Sequence, residues 1–400
     1  MRPDRVRVAV TGVGVRTPAG NDPATLWDTL IAGKSTARTI TSFDADGLPV
    51  DFACQVPDIG AGRVTGRDAR RMDRTTLLAV CAADDSLADA GEPGVPPERR
   101  AVVTGTGLAG NETAEAAFLG RPSPLHVPKV MANASAAFIG MRHRALGPSL
   151  TISTACASGG HAIGEGLRLV RDGSADLVVA GGAEACVTPT LLLAFALCGA
   201  LSQRVAEPDC ASRPFDADRD GFVLAEGAAF VVLERLDRAL RRGAHVYAEL
   251  AGYGRTTDGH HLTVPHPHGE GAERCMRQAL ADADLSPHQV AHVNAHGSGT
   301  ELNDVTEAQV IARLLGFDVP VTATKSVTGH AIGAAGAIEA VVSVLTLENG
   351  TIPPTINLRT QDPRCEIDVV RRPRPLRPGA ILSNSFAFGG HNASLVFTRP

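Results

Sequence analysis

Three observations predict an α/β layered fold. Short β-branched runs, most of them ending at glycine, read as buried strands: VRVAVTGVG, RAVVTGTG, SLTISTA, ADLVVAGG and AAFVVLERL. Longer segments between them, DRTTLLAVCAADDSLADAG and HAIGEGLRLVRDG among them, place apolar residues at helical spacing and stop at glycine. At 400 residues the chain exceeds the usual single core, so two lobes or one large body of two related halves is expected.

The first strand run, VAVTGVGVRTP, is faintly echoed by YAELAGYGRTTD at 247–258. The echo divides the chain near residue 245, into halves spanning 1–245 and 246–400. Pro-rich RRPRPLRPG (371–379) reads as a surface connection before the last strand pair. A net charge of −5 gives no global attraction to nucleic acid or anionic lipid, and no apolar run of membrane-spanning length is expected. Eight scattered cysteines and no basic-then-apolar leader fit a reduced, cytoplasmic enzyme.

Three motifs invite readings that their details oppose. GTGLAG (105–110) is a literal GxGxxG after a strand, but no acid stands about 20 residues on to hold a ribose hydroxyl. DADRDGFVLAE (216–226) imitates a calcium loop through Asp216, Asp218, Asp220 and Gly221, yet Glu226 arrives one residue early and Gly227 takes the twelfth position. A turn held by local carboxylate hydrogen bonds is expected there instead. His260, His261, His266 and His268 in DGHHLTVPHPHGEG match no zinc spacing, and Pro265 and Pro267 stiffen the loop, so it reads as a polar recognition loop and no metal is expected.

TISTACASGG (151–160) places Cys156 between an apolar run and a helix of small residues. Free cysteine is usually a buried hydrophobe, but the positive end of the following helix is expected to favour thiolate over thiol. His296 in VNAHGSGTELND, with Lys325 and His330 in TKSVTGHAIGAAGAIE, also follow apolar segments and lead into small-residue turns. Such turns set side chains at the ends of strands, where open sheets bind ligands, and nucleophile chemistry needs separate activating and charge-stabilising groups.

TACASG, NAHGSGT, KSVTGH and NSFAFGGHN resemble, in order and spacing, four signatures of the β-ketoacyl-[acyl carrier protein] synthases of the KAS I/II type, and RPFDADRDGFVLAEG is similar to a fifth. The resemblance implies a thiolase fold, two duplicated α/β halves in five α-β-α-β-α layers. It implies that Cys156 accepts an acyl chain from the phosphopantetheine arm of an acyl carrier protein, with no other cofactor. His296 and His330 would assist decarboxylation of a malonyl carrier, and backbone N–H groups of Cys156 and Phe388 would hold the tetrahedral intermediate. Lys325 and Glu339 match a buried support pair, with Asp304 in the same network. Thr263, Ser298 and Thr300 match positions that bind the arm, Phe386 and Phe388 resemble a gate, and Leu108 and Phe195 would line the acyl pocket. Arg67, Arg70 and Arg71 match a segment that docks the carrier. The assembly implied is a homodimer, or a heterodimer with a chain-length-factor-like subunit.

Ser298 resembles type II polyketide ketosynthases, whereas His391 resembles some fatty-acid synthases, and Ala387 replaces the usual gate glycine. The chain is also shorter than typical relatives between GTGLAG and VPKVMAN, which favours a specialised pathway. Two alternatives stand beside the condensing enzyme. A non-elongating chain-length-factor-like subunit typically lacks the cysteine present here, and a coenzyme A-dependent thiolase pairs its histidine with a second cysteine.

Overall fold

The computed structural model describes residues 5–59, 64, 66–91 and 93–400. The first half contributes β1 (Val8–Arg16), β2 (Arg100–Gly105), β3 (Ser149–Ile152), β4 (Leu177–Glu184) and β5 (Gly227–Arg235). The second contributes β6 (Ala248–Thr257), β7 (Val290–Asn294), β8 (Pro320–Thr322), β9 (Asp368–Val369), β10 (Ala380–Ala387) and β11 (His391–Thr398). These eleven strands form one mixed sheet in the order β9-β8-β7-β10-β11-β6-β1-β5-β4-β2-β3.

Outward from its centre the sheet repeats itself. The first half runs β1-β5-β4-β2-β3 and the second β6-β11-β10-β7-β8, with β9 added at the far edge. Pairing directions also repeat: the first two pairs of each half are antiparallel and the next two parallel. The faint echo in the sequence therefore falls on β1 and β6, the equivalent first strands. They meet in a short antiparallel seam at Ala9 with Glu249 and Val10 with Ala248.

Five helices, α1 (Arg74–Asp89), α2 (Ser158–Arg171), α3 (Glu270–Asp282), α4 (Glu301–Leu315) and α5 (Ala335–Asn349), complete the layers. α1 covers the outer face of β1 and β5, and α3 covers β6 and β11. α2 and α5 pack against each other between the half-sheets, α2 on β2 and β4, α5 on β5 and β10. This is the five-layered thiolase arrangement. Glycine lets the central helices approach at backbone distance: a Cβ on Gly159 would lie 2.8 Å from the Ala337 nitrogen, and one on Gly336 2.8 Å from the Gly160 nitrogen.

Two expectations need correction. Residues Ile332–Asn349 are long and apolar enough to cross a bilayer, but 89% of that stretch is buried inside the protein, because it contains the central helix α5. The Pro-rich segment is also more than a connection: Arg374–Pro375 pairs antiparallel with Thr351–Ile352.

Candidate active site

β3 ends at Ile152, and a tight turn over Ala155–Ala157 delivers Cys156 to the start of α2. Ala155 sits at φ 48°, a left-handed conformation costly for alanine, and Ser158 Oγ pins the turn by donating to the Ala155 carbonyl (2.6 Å) and accepting from the Thr154 N–H (2.8 Å). Cys156 is buried at the floor of a cavity of about 440 Å³. Its thiol is not the thiolate expected from the helix end. Burial pushes it up to about 12, against the lowering effects of Lys325 and of the backbone N–H groups of Phe388 and Cys156 itself. Desolvation outweighs the helix terminus because almost no water reaches the sulfur.

A hydrogen-bond partner is adjacent. His330 Nε2 lies 3.2 Å from Cys156 Sγ, and burial together with Lys325 holds this imidazole well below its usual range, so it is neutral. The backbone of His330 is locked to the strand segment at 223–225 by bonds to the Val223 carbonyl (2.8 Å) and the Ala225 N–H (3.0 Å). Gly329, at φ 68°, precedes it where a Cβ would lie 2.8 Å from Cys54 Sγ, so only glycine fits.

His296 follows β7. Lys325 Nζ is 3.3 Å from His296 Nδ1 and 2.6 Å from the His296 carbonyl, and pairs with buried Glu339. An ammonium donating to Nδ1 leaves the imidazole proton on Nε2. Burial, Lys325 and His330 hold His296 well below its usual range, and its ring stands nearly perpendicular to that of His330 at 5.4 Å. Burial raises Glu339 to about 7 against the pull of Lys325.

Thr263, Ser298, Thr300, Leu108, Phe195, Phe386 and Phe388 all line the same cavity, with Ser298 Oγ 2.9 Å from Thr300 Oγ1. Ala387 adopts φ −129°, extended backbone that alanine takes without strain, so the missing glycine costs nothing in this conformation. His391 opens β11 beside the Phe388–Gly390 turn. Arg67, Arg70 and Arg71 are exposed and lie outside the cavity wall.

Asp304 is displaced from its expected network. It makes no hydrogen bond to Lys325 or Glu339, and instead accepts from the N–H groups of Phe215 (2.9 Å) and Gly299 (3.2 Å) near Arg219. Glu307, absent from the sequence expectations, takes the position beside the site: its carboxylate accepts from the backbone N–H groups of His296 and Gly297, each at 2.8 Å. Burial raises it to about 7.

A second unforeseen acid explains the GxGxxG loop. Buried Glu184, at the end of β4, accepts from the N–H groups of Gly107 (2.6 Å), Leu108 (3.2 Å), Ala109 (3.1 Å) and Gly333 (3.3 Å), and from Thr106 Oγ1 (3.1 Å). The amides that would cradle a pyrophosphate are occupied by the protein's own carboxylate. In the false calcium loop, Asp216 accepts from the N–H groups of Asp218, Arg359 and Thr360, and no metal-holding cluster occurs among the described residues.

Residues 5–239 match the family model described as "Beta-ketoacyl synthase, N-terminal domain", and residues 247–359 match "Beta-ketoacyl synthase, C-terminal domain". Relatives named 3-oxoacyl-[acyl-carrier-protein] synthase 2 from Synechocystis sp. and Coxiella burnetii are 41% and 39% identical, each covering 99% of both chains. Among solved structures, a type II polyketide ketosynthase in complex with its acyl carrier protein and bound to the hexaketide is 32% identical with a TM-score of 0.91, covering 99% of this chain and 100% of that one. A β-ketoacyl synthase from Burkholderia phymatum is 34% identical with a TM-score of 0.92, at the same coverage.

Proposed function

The chain belongs to the β-ketoacyl synthase family, and from that premise we propose that it joins an acyl group held on Cys156 to a malonyl unit on an acyl carrier protein, with loss of carbon dioxide. It is a carbon–carbon bond-forming acyltransferase, a β-ketoacyl-[acyl carrier protein] synthase of fatty-acid or polyketide synthesis whose substrates arrive on the carrier and which takes no separate cofactor. The observation that carries the residue assignment is the 3.2 Å approach of neutral His330 to Cys156 Sγ at the floor of one cavity with His296.

In the first half-reaction the Cys156 proton passes to His330 Nε2 while sulfur attacks the carrier thioester. The departing carrier thiolate then takes that proton. In the second, carbon dioxide leaves the malonyl group and negative charge develops on its thioester oxygen, facing the Nε2–H of His296 and, once the His330 proton has moved from Nδ1 to Nε2, the Nε2–H of His330. The enolate carbon attacks the Cys156 thioester, and the oxyanion formed there faces the N–H groups of Cys156 and Phe388, both already directed at the sulfur. Collapse expels the Cys156 thiolate, which takes up one proton. Lys325 and Glu339 fix the tautomer of His296, and Glu307 fixes its backbone.

Thr263, Ser298 and Thr300 form the arm's entrance, and Leu108 and Phe195 the acyl side. Arg67, Arg70 and Arg71 supply a local basic face for an acidic carrier. Among the described residues β3 has β2 as its single neighbour, and Met141, Leu146 and Leu150, on that strand and the chain leading into it, are exposed. Unpaired strand edges and apolar patches of this kind are usually covered, so a second subunit, a copy or a chain-length-factor-like partner, packs here. Ser298 and the contraction after GTGLAG support a specialised type II polyketide pathway, and eight free thiols support a cytoplasmic setting. Cys156→Ser should abolish acyl transfer while circular dichroism stays native; normal condensation by that variant would overturn the assignment.

A further inference from the structure

We propose that a second cavity, on the outer face of the first half, binds a small free carboxylate with an apolar tail. The cavity holds about 460 Å³, within the range of small-molecule sites, and lies between α1, the helix Ala134–His143 and the parallel strands β2 and β4. Arg100 and Val102 of β2 stand in register with Leu177 and Val179 of β4, and all four line it, as alternate residues on one face of a sheet do.

Val102, Leu177 and Val179 are at most 3% exposed and, with Leu87 of α1, give the cavity an apolar floor. One charge above that floor is unanswered. Half-buried Arg100 donates through Nε to the Val95 carbonyl (2.7 Å) and through Nη1 to the His143 carbonyl (3.3 Å), which fixes the guanidinium, and among the described residues no carboxylate pairs with it. The cavity's own acid, Asp84, is already engaged: Arg142 Nε donates to both its oxygens at 2.8 Å, and His143 Nε2 lies 2.7 Å from its Oδ1. The wall therefore carries a surplus cation. A guanidinium held by two of its donors keeps the others for a planar anion, and a carboxylate matches that fork. The floor selects an apolar tail.

The site is remote from Cys156, and no residue lines both cavities. Leu177 opens β4, and Glu184, which holds Gly107 and Leu108 of the catalytic wall, closes it, so the strand's rise of about 3.3 Å per residue puts about 23 Å between them. A fatty acyl chain on a carrier has its carboxyl tied up in the thioester. The second cavity therefore takes the free acid and not the carrier-bound chain.

The test photolabels the full-length enzyme with a diazirine-tailed octanoate and locates the label by peptide mass spectrometry. Saturable label is expected on the peptides carrying Leu87 and Val179. Octanoate should displace it about tenfold better than 1-octanol, because a charge-assisted hydrogen bond is worth about tenfold in affinity. Arg100→Gln should raise the half-saturating concentration about tenfold, and Arg100→Lys, which keeps the charge and loses the fork, should raise it less. Ala88→Trp, at an exposed position of α1 on the cavity wall, should abolish this label while circular dichroism stays native. Label confined to the catalytic cavity, equal displacement by octanol and octanoate, or unchanged labelling in either Arg100→Gln or Ala88→Trp overturns the site.

Discussion

Replacing Glu184 by glutamine probes how the wall of the acyl pocket is held. One oxygen of the carboxylate accepts from Gly107, Leu108 and Gly333, the other from Thr106 and Ala109. In Glu184→Gln the amide oxygen can serve the first group, and the Thr106 hydroxyl can turn to accept from the new NH₂. The Ala109 N–H is then left facing a donor. A buried N–H without a partner costs about 1 to 3 kcal/mol, and the remaining bonds lose their charge assistance, which roughly halves each. Relief from burying a carboxylate, which burial already pushes upward, offsets part of this. The net expectation is a loss of about 2 to 4 kcal/mol. Leu108 and Gly333, next to Ile332, sit where this bond set meets the cavity, so the acyl-length profile should broaden along with the loss of stability. Urea unfolding and competition between acyl carriers of different length measure the two effects. A variant with wild-type stability and an unchanged length profile would refute the argument.

The two histidines, given one shared task by sequence resemblance, differ in their neighbours: His330 Nε2 lies 3.2 Å from Cys156 Sγ, and His296 Nδ1 3.3 Å from Lys325 Nζ. His296→Ala should lower malonyl decarboxylation by about 10²- to 10³-fold while sparing acylation, whereas His330→Ala should slow both steps because it also takes the Cys156 proton; rapid-quench assays of each half-reaction distinguish them. Fully buried His292 has no hydrogen-bond partner for either ring nitrogen among the described residues, and burial lowers it to about 3. The unfolded chain binds this proton near pH 6.5 and the folded chain does not, so the protein loses stability as pH falls from 6.5 toward 3, by about 1.4 kcal/mol per pH unit from this group. His292→Phe should remove that share of the slope in denaturation curves between pH 4 and 7, and an unchanged difference across that range would contradict it.

The strands and the cavity cysteine were legible because each is written locally, as a β-branched run ending at glycine or as a cysteine heading small residues. The duplication was faint in residues yet complete in topology, since only β1 and β6 keep a shared pattern while pairing order is set by packing. Glu184 and Glu307 were invisible for a physical reason. An acid ending an apolar strand, or placed in the mixed helix ELNDVTEAQVIARLL, reads as a solvated charge until the fold brings amides to it. Asp304 shows the converse, an acid expected beside Lys325 that the fold gives to Arg219 and Gly299. The state of the Cys156 thiol was misjudged because a helix terminus is visible in sequence and desolvation is not.

The central claim, that Cys156 carries the acyl chain condensed with malonyl carrier, is tested most directly by intact-protein and peptide mass spectrometry. The enzyme is mixed with an acyl carrier and then with malonyl carrier. The account predicts an acyl mass on Cys156 that disappears on the second addition as a β-ketoacyl carrier two carbons longer accumulates. Turnover to that product with the acyl mass absent from Cys156, or found on another residue, would contradict it.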